Sequence, residues 1–259
     1  MTTTIVLVHG AWVTPACWDR FIARYEARGH RCIAPAWPFD DRPVQELRRN
    51  SAPELAGVGV GEIVDHYARS IAELGEPPII IGHSFGGLFT QMLLDRGLGA
   101  AGIAIDPAPP RGVLPGPRAI ASSSAVLRRW RARTKVLTMS LPTFQATFAN
   151  GMSEAEQRQA YDEHVIPTPG RVFFQAAFGA GTKVNFRNEA RAPLLITAGE
   201  RDVTVTPGMC RGAARKHRRS RATTEFVQFA GRPHWLIASP GWEEVADHVI
   251  EWAEEHARV

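Results

Sequence analysis

No stretch of this chain strings together the ~18 apolar residues that a membrane-spanning helix requires, which argues against a membrane protein. Cysteine is scarce. Cys17, Cys32 and Cys210 form an odd set without metal-type spacing, so neither a disulfide framework nor a metal site is expected, and they read as small apolar side chains. Low-complexity tracts and internal repeats are missing as well. Acids vanish between Pro107 and Ser153, where Arg111, Arg118, Arg128, Arg129, Arg131, Arg133 and Lys135 all fall, and a second basic run covers Arg211 to Arg221. Neither run carries a nucleic-acid-binding module, so nucleic acid is not expected as a partner. The runs read first as solvated faces and second as a field that draws anionic substrates. The N-terminal Met1-Thr2-Thr3-Thr4 lacks a basic region and leads straight into Ile5-Val6-Leu7-Val8, too short for a signal-peptide core, so a cytoplasmic protein is expected.

What is present is ordinary for a globular enzyme-sized domain. Hydrophobic residues make up 44% and charged residues 22% of 259 positions, values that disfavour disorder and allow one α/β domain with an inserted excursion. Apolar strands alternate with amphipathic helices, the pattern of a mostly parallel sheet covered on both faces. Ile5–Val8 reads as a first strand ending in the turn His9-Gly10-Ala11-Trp12, followed by a helix that Thr14 would cap and by a strand at Arg31–Ala34. A short helix at Val44–Arg49 and a longer one carrying Ile63, Val64, Tyr67, Ile71 and Leu74 on one face come next. Strands are expected at Pro78–Ile81, Gly102–Asp106, Pro193–Ala198 and Thr224–Phe229, and helices at Pro207–His217 and from Ser239-Pro240 onward. Residues 107–192 break the alternation. Helical pieces at 120–133, 142–150, 153–164 (with Ser153 and Glu156 in capping-box spacing) and 171–178 leave no strand signal there. The expected organisation is therefore a core of 1–106 and 193–259 with a helical lid at 107–192 over the carboxyl edge of the sheet.

The chemistry centres on Gly82-His83-Ser84-Phe85-Gly86-Gly87, set between an apolar strand and an apolar helix. A strand that turns at once into a helix holds its central residue in strained backbone and leaves no room for side chains two positions to either side, a need that Gly82 and Gly86 meet. Ser84 then stands above the strand's carboxyl end with the helix N-terminus aimed at any negative charge formed there. A serine hydroxyl needs a base, and the base needs an orienting group. Ligands of a doubly wound sheet bind at the carboxyl ends of its strands, so partners must come from those loops. His234, just past the last strand, is the expected base; His9 and His83 are read as braces. Asp202, in the loop after Pro193–Ala198, is the expected acid, with Asp106 as its rival. The oxyanion donors are expected from the N–H groups of Phe85 and Ala11, with Trp12 as the alternative to Ala11.

The order elbow, acid turn, histidine turn, together with Val8-His9-Gly10-Ala11-Trp12, resembles the α/β-hydrolase family, nearest to the branch of small plant-type methylesterases and hydroxynitrile lyases. The resemblance implies an α/β-hydrolase fold and ester hydrolysis without metal or organic cofactor. Lyases of that branch carry threonine where Gly10 stands and lysine where Trp235 stands, so cyanohydrin cleavage is disfavoured. Dehalogenases and epoxide hydrolases of the fold carry aspartate at the position of Ser84. Trp37-Pro38-Phe39-Asp40 lacks the Pro-Gly-His-Gly loop of many relatives, which leaves one pocket wall without an expectation.

The expected function is a serine carboxylesterase acting on a small, largely apolar ester through an acyl-enzyme. Trp12, Trp130, Phe144, Phe148 and Trp235 are the expected pocket residues, and Phe173, Phe174 and Phe178 add to the aromatic lid. The same triad also serves carbon–carbon, lactone or amide hydrolysis and cofactor-free perhydrolysis, and a receptor that binds without turnover is the reading from another class. A second copy of the chain is left open as a partner.

Overall fold

The computed structural model describes residues 3–114 and 130–258. Six short runs of β-branched and small apolar residues form one sheet in the order β2-β1-β3-β4-β7-β8, where β1 is Thr4–Val8, β2 Arg31–Ile33, β3 Ile79–His83, β4 Ala101–Ile105, β7 Leu194–Gly199 and β8 Thr224–Phe229. Every neighbouring pair is parallel, with Ile5 opposite Ile79, Ile79 opposite Ala101, Gly102 opposite Leu194 and Leu194 opposite Thr224. Parallel pairing requires crossovers, and helices supply them on both faces, so β3, β4 and β7 are buried along their whole length. The strand order reverses between β1 and β3, which places the carboxyl ends of β1, β3, β4, β7 and β8 around one crevice.

The helix Phe85–Asp95 is buried on nearly every face because it lies between the sheet and the helix Val60–Ala72. Small residues let it approach. A Cβ on Gly102 of β4 would stand 2.4 Å from Leu94 Cδ1. The last helix starts at Trp242, three residues after Ser239, because Gly241 takes a left-handed φ of 80° and Trp242 N–H closes a turn onto the Ser239 carbonyl at 3.0 Å. At Thr14 the first turn is a 3-10 helix, Pro15–Trp18, and the threonine side chain makes no capping bond.

Between β4 and β7 the described residues hold the helices Leu141–Thr147, Glu154–His164 and Gly170–Phe178, the second opened by the Ser153/Glu156 capping box. The stretch also contains what the sequence pattern denied it, an antiparallel pair of β5 (Val136–Leu137) with β6 (Thr168–Pro169). Two-residue strands, one ending in proline, leave no alternation to read; only pairing across 31 positions creates them. Of the helix expected over 120–133, the end is a 3-10 turn, Trp130–Thr134, and 120–129 falls outside the described residues. No helix among the described residues is long and apolar enough to cross a membrane.

Candidate active site

The elbow is as tight as its glycines require. Ser84 sits at φ 56°, ψ −118° directly between β3 and the helix Phe85–Asp95. A Cβ on Gly82 would lie 2.1 Å from the Gly86 carbonyl oxygen, and one on Gly86 would lie 2.0 Å from that of Val8. The non-glycine residues with positive φ among those described are Trp12, Phe39, Ser84 and Asp106, all on loops leaving the carboxyl edge. Such backbone costs roughly 1–3 kcal/mol per residue and persists where the surroundings over-determine it, as at functional sites.

His234 brings its Nε2 to 3.0 Å from Ser84 Oγ, and its Nδ1 lies 2.5 Å from Asp202 Oδ2. Asp202 Oδ1 accepts the N–H groups of Thr204 and Val205 at 2.7 and 2.8 Å, so the carboxylate is fixed by its own loop. With Nδ1–H donated to Asp202, the ring presents the Nε2 lone pair to the serine hydroxyl. The histidine and acid loops meet because Gly199 has no side chain; a Cβ there would stand 2.7 Å from the Arg232 carbonyl oxygen.

Asp106 lies farther off, its Oδ2 at 3.9 Å from His234 Nδ1, and its Oδ1 is taken by the Gly199 N–H at 2.7 Å. Burial first, and then the neighbouring charge of Asp202, push the Asp106 carboxyl well above the usual range. Asp106, Asp202 and His234 place potential ligand atoms within 4.8 Å of one another. Two ligands of a tetrahedral zinc at ~2.1 Å each stand ~3.4 Å apart, whereas the 2.5 Å contact of His234 with Asp202 has the length of a hydrogen bond.

Two more buried histidines, His83 and His9, brace the turns around the site. His83 donates Nε2–H to the His234 carbonyl at 2.8 Å, and burial holds its ring well below the ordinary pKa. His9 donates Nδ1–H to the Gly10 carbonyl at 2.9 Å and accepts the Trp37 N–H on Nε2 at 3.1 Å. Both bonds suit a neutral ring, and burial lowers its pKa to about 4.

Of the expected oxyanion donors, the N–H groups of Ala11 and Phe85 have no acceptor among the described residues. Gly10 brings the Ala11 turn against Ser84, since a Cβ on Gly10 would lie 3.0 Å from Ser84 Cβ. The alternative donor is spent: Trp12 N–H is bound to Thr168 Oγ1 at 2.8 Å.

Aromatic rings cover the site. Trp12 stacks on Phe173 at 5.0 Å, Phe173 meets Phe85 edge-on at 5.3 Å, and Phe148 stands edge-on to His234 at 4.7 Å. Phe144 and Trp235 are buried in the seam between insertion and body: Phe144 touches Phe148 and Tyr161, Trp235 touches His83 and His164, and the two meet at 5.9 Å. The side chain of Trp130 lies outside the described residues. In the stretch that the sequence left without an expectation, Trp37 is buried, stacked on His9 at 5.2 Å and edge-on to Phe85 at 6.5 Å.

The segment between β4 and β7 is tied to three of the loops that carry the site. Ile166 N–H donates to the Trp12 carbonyl at 2.8 Å, Trp235 N–H to the Phe148 carbonyl at 2.9 Å, Thr204 Oγ1 to the Thr147 carbonyl at 2.9 Å and Asn150 Nδ2 to the Arg201 carbonyl at 2.8 Å.

Three residues past Trp37, whose carbonyl accepts its N–H at 3.0 Å, Asp40 is buried with Oδ1 unpartnered among the described residues, and burial pushes its carboxyl up to about 8. The unfolded chain sheds this proton near pH 4 while the native protein keeps it, so stability falls as pH rises from about 4 through about 8, by at most ~1.4 kcal/mol per pH unit. Asp40→Asn is expected to melt higher than the parent at pH 8, with a gap that shrinks toward pH 5. A gap independent of pH in paired thermal melts would refute the assignment.

A doubly wound parallel sheet with a serine elbow at its carboxyl edge, a histidine after the last strand and an aspartate after the strand before it is the architecture of a hydrolase fold. The chain belongs to the alpha/beta hydrolase family, whose sequence profile matches residues 5–248. An esterase of Oryza sativa subsp. japonica is 32% identical over 96 residues, which are 35% of this chain and 31% of that protein. A pyrethroid hydrolase of Sphingobium wenxiniae is 32% identical over 90 residues, 33% of this chain and 28% of its own. The match thus spans under a third of the length of either curated relative. The monoacylglycerol lipase of Paleococcus ferrophilus superposes with a TM-score of 0.71 over 98% of this chain and 95% of its own at 19% identity, a likeness of fold.

Proposed function

We propose that this protein is a serine carboxylesterase. The observation that carries the reading is the continuous contact from Ser84 Oγ through His234 to Asp202, at 3.0 and 2.5 Å. Ser84 Oγ attacks the ester carbonyl as its proton passes to His234 Nε2. The oxyanion is held by the N–H groups of Ala11 and Phe85 and by the N-terminal end of the helix Phe85–Asp95. His234 returns the proton to the leaving alcohol, and the acyl group remains on Ser84. Water, deprotonated by the same ring, then releases the acid and restores the serine.

The rings of Trp12, Phe85, Phe148 and Phe173 favour an apolar acyl or alcohol part over a charged one. The names of the relatives, an esterase and a pyrethroid hydrolase, agree with ester chemistry. The test is a serine-directed fluorophosphonate, followed by mass spectrometry, with an ester, lactone and diketone panel run beside it. A single phosphonyl adduct on the peptide holding Ser84, with hydrolysis of apolar aryl esters, is expected. An unmodified Ser84 together with no turnover would turn the reading into that of a receptor.

A further inference from the structure

The turn that would carry half of the oxyanion site is not held by its own strand alone. Trp12 is a bulky residue in left-handed backbone, φ 72°, next in sequence to Ala11. Two hydrogen bonds from the insertion fix it: its N–H reaches Thr168 Oγ1 at 2.8 Å and its carbonyl accepts the Ile166 N–H at 2.8 Å. Its ring is meanwhile stacked on Phe173. Thr168 is 1% exposed and lies 156 positions along the chain from Trp12, so this is a buried tie between separate parts of the fold.

Thr168 is itself held rigidly. It pairs with Leu137 across the β5–β6 ribbon, and the next peptide is anchored by Gly170 N–H on the Lys135 carbonyl at 2.9 Å. Gly170 is pressed so closely onto the turn beneath it that a Cβ would lie 2.0 Å from the Ala132 carbonyl oxygen. The hydroxyl oxygen therefore meets the Trp12 N–H at a fixed point.

We propose that Thr168 is a positioning residue for the oxyanion turn. By accepting the Trp12 N–H it holds the Ala11–Trp12 peptide in one orientation. That keeps Trp12 in its left-handed conformation and leaves the Ala11 N–H unspent beside Ser84. Without an acceptor at this point the buried Trp12 amide seeks another partner, the turn relaxes toward ordinary backbone, and Ala11 is carried off its line to the serine. The side chain has to be an acceptor of threonine shape. Valine fills the same space and accepts nothing, whereas serine keeps the oxygen and loses only the methyl.

The inference rests on the esterase reading, and the experiment separates the two. Thr168→Val, Thr168→Ala and Thr168→Ser are made in the full chain and assayed with an activated aryl ester under steady-state and single-turnover conditions. The Val and Ala variants are expected to lose 10- to 100-fold in kcat, with KM within about threefold of the parent, because the oxyanion forms only on the way to the transition state. Acylation and deacylation should slow together, since each passes through an oxyanion, and Thr168→Ser should recover to within about threefold of the parent. If Thr168→Val melts below the assay temperature, Ala against Ser makes the same comparison, because both lack the methyl and one keeps the oxygen. A kcat for Thr168→Val or Thr168→Ala equal to the parent's, or a Ser variant as slow as Ala, overturns the proposal. A parent protein that hydrolyses no ester and takes no phosphonate overturns the esterase reading instead.

Discussion

Replacing Ser84 by alanine is expected to lower kcat for an activated ester by ~10⁴-fold or more while leaving the melting temperature within a few degrees of the parent. The size follows from what is removed. The Oγ is the group 3.0 Å from His234 Nε2, and no other hydroxyl is bonded to that ring nitrogen among the described residues. What survives is a water that His234 could deprotonate, with the same backbone donors around it, which supports only residual hydrolysis. Stability should barely change, because alanine accepts the φ of 56° no worse than serine does and the lost hydroxyl bonds only to the histidine. Steady-state assays and thermal melts on the same preparation check both halves. A variant within tenfold of the parent rate would remove Ser84 from the mechanism, and with it the acyl-enzyme.

The second large effect separates two carboxylates. Asp202→Asn is expected to depress kcat by ~10⁴-fold, by analogy with the protease triad. Asn can keep its carbonyl oxygen on the Thr204 and Val205 amides, where Asp202 Oδ1 now sits. It then turns an NH₂ toward His234 Nδ1. The ring must accept there, its proton moves to Nε2, and the nitrogen facing Ser84 can no longer take one. Asp106→Asn should stay within about tenfold. Burial and the charge of Asp202 favour the protonated Asp106, which a neutral amide imitates, and the oxygen that receives the Gly199 N–H can be kept. Kinetics of the two variants on one substrate decide the matter: equal loss would make the two acids a joint device, and a reversed order would transfer the role to Asp106.

The parts of this site that could be read from the sequence are those whose physical demands are local. Gly82 and Gly86 flank Ser84 because the backbone on either side lies where a Cβ would go, and that demand is written in five consecutive letters. Asp202 and His234 could be placed because each follows a recognisable apolar strand, and loops at one edge of a parallel sheet converge. The place of Trp37 was not readable, since it depends on stacking against His9 from a different strand's loop. Thr168 carried no signal either: its partner is far along the chain, and its strand is two residues long and ends in proline. Trp12 stands as the alternative to Ala11 in the sequence because that partner is not visible there. The start of the last helix was displaced from Ser239 to Trp242 by the left-handed Gly241, a choice that a Ser-Pro pair obscures.

Three of the bonds that join the insertion to the body use its main-chain atoms, the Ile166 amide and the Phe148 and Thr147 carbonyls. Peptide groups are the same whatever residue carries them. An exchange of the Phe148 side chain therefore leaves its carbonyl's bond to the Trp235 N–H in kind, and what it alters is the ring packed on Phe144 and edge-on to His234. Thr168 differs from these three in that its tie to Trp12 runs through a side-chain oxygen, so that bond alone is lost when the residue is exchanged for one without an acceptor.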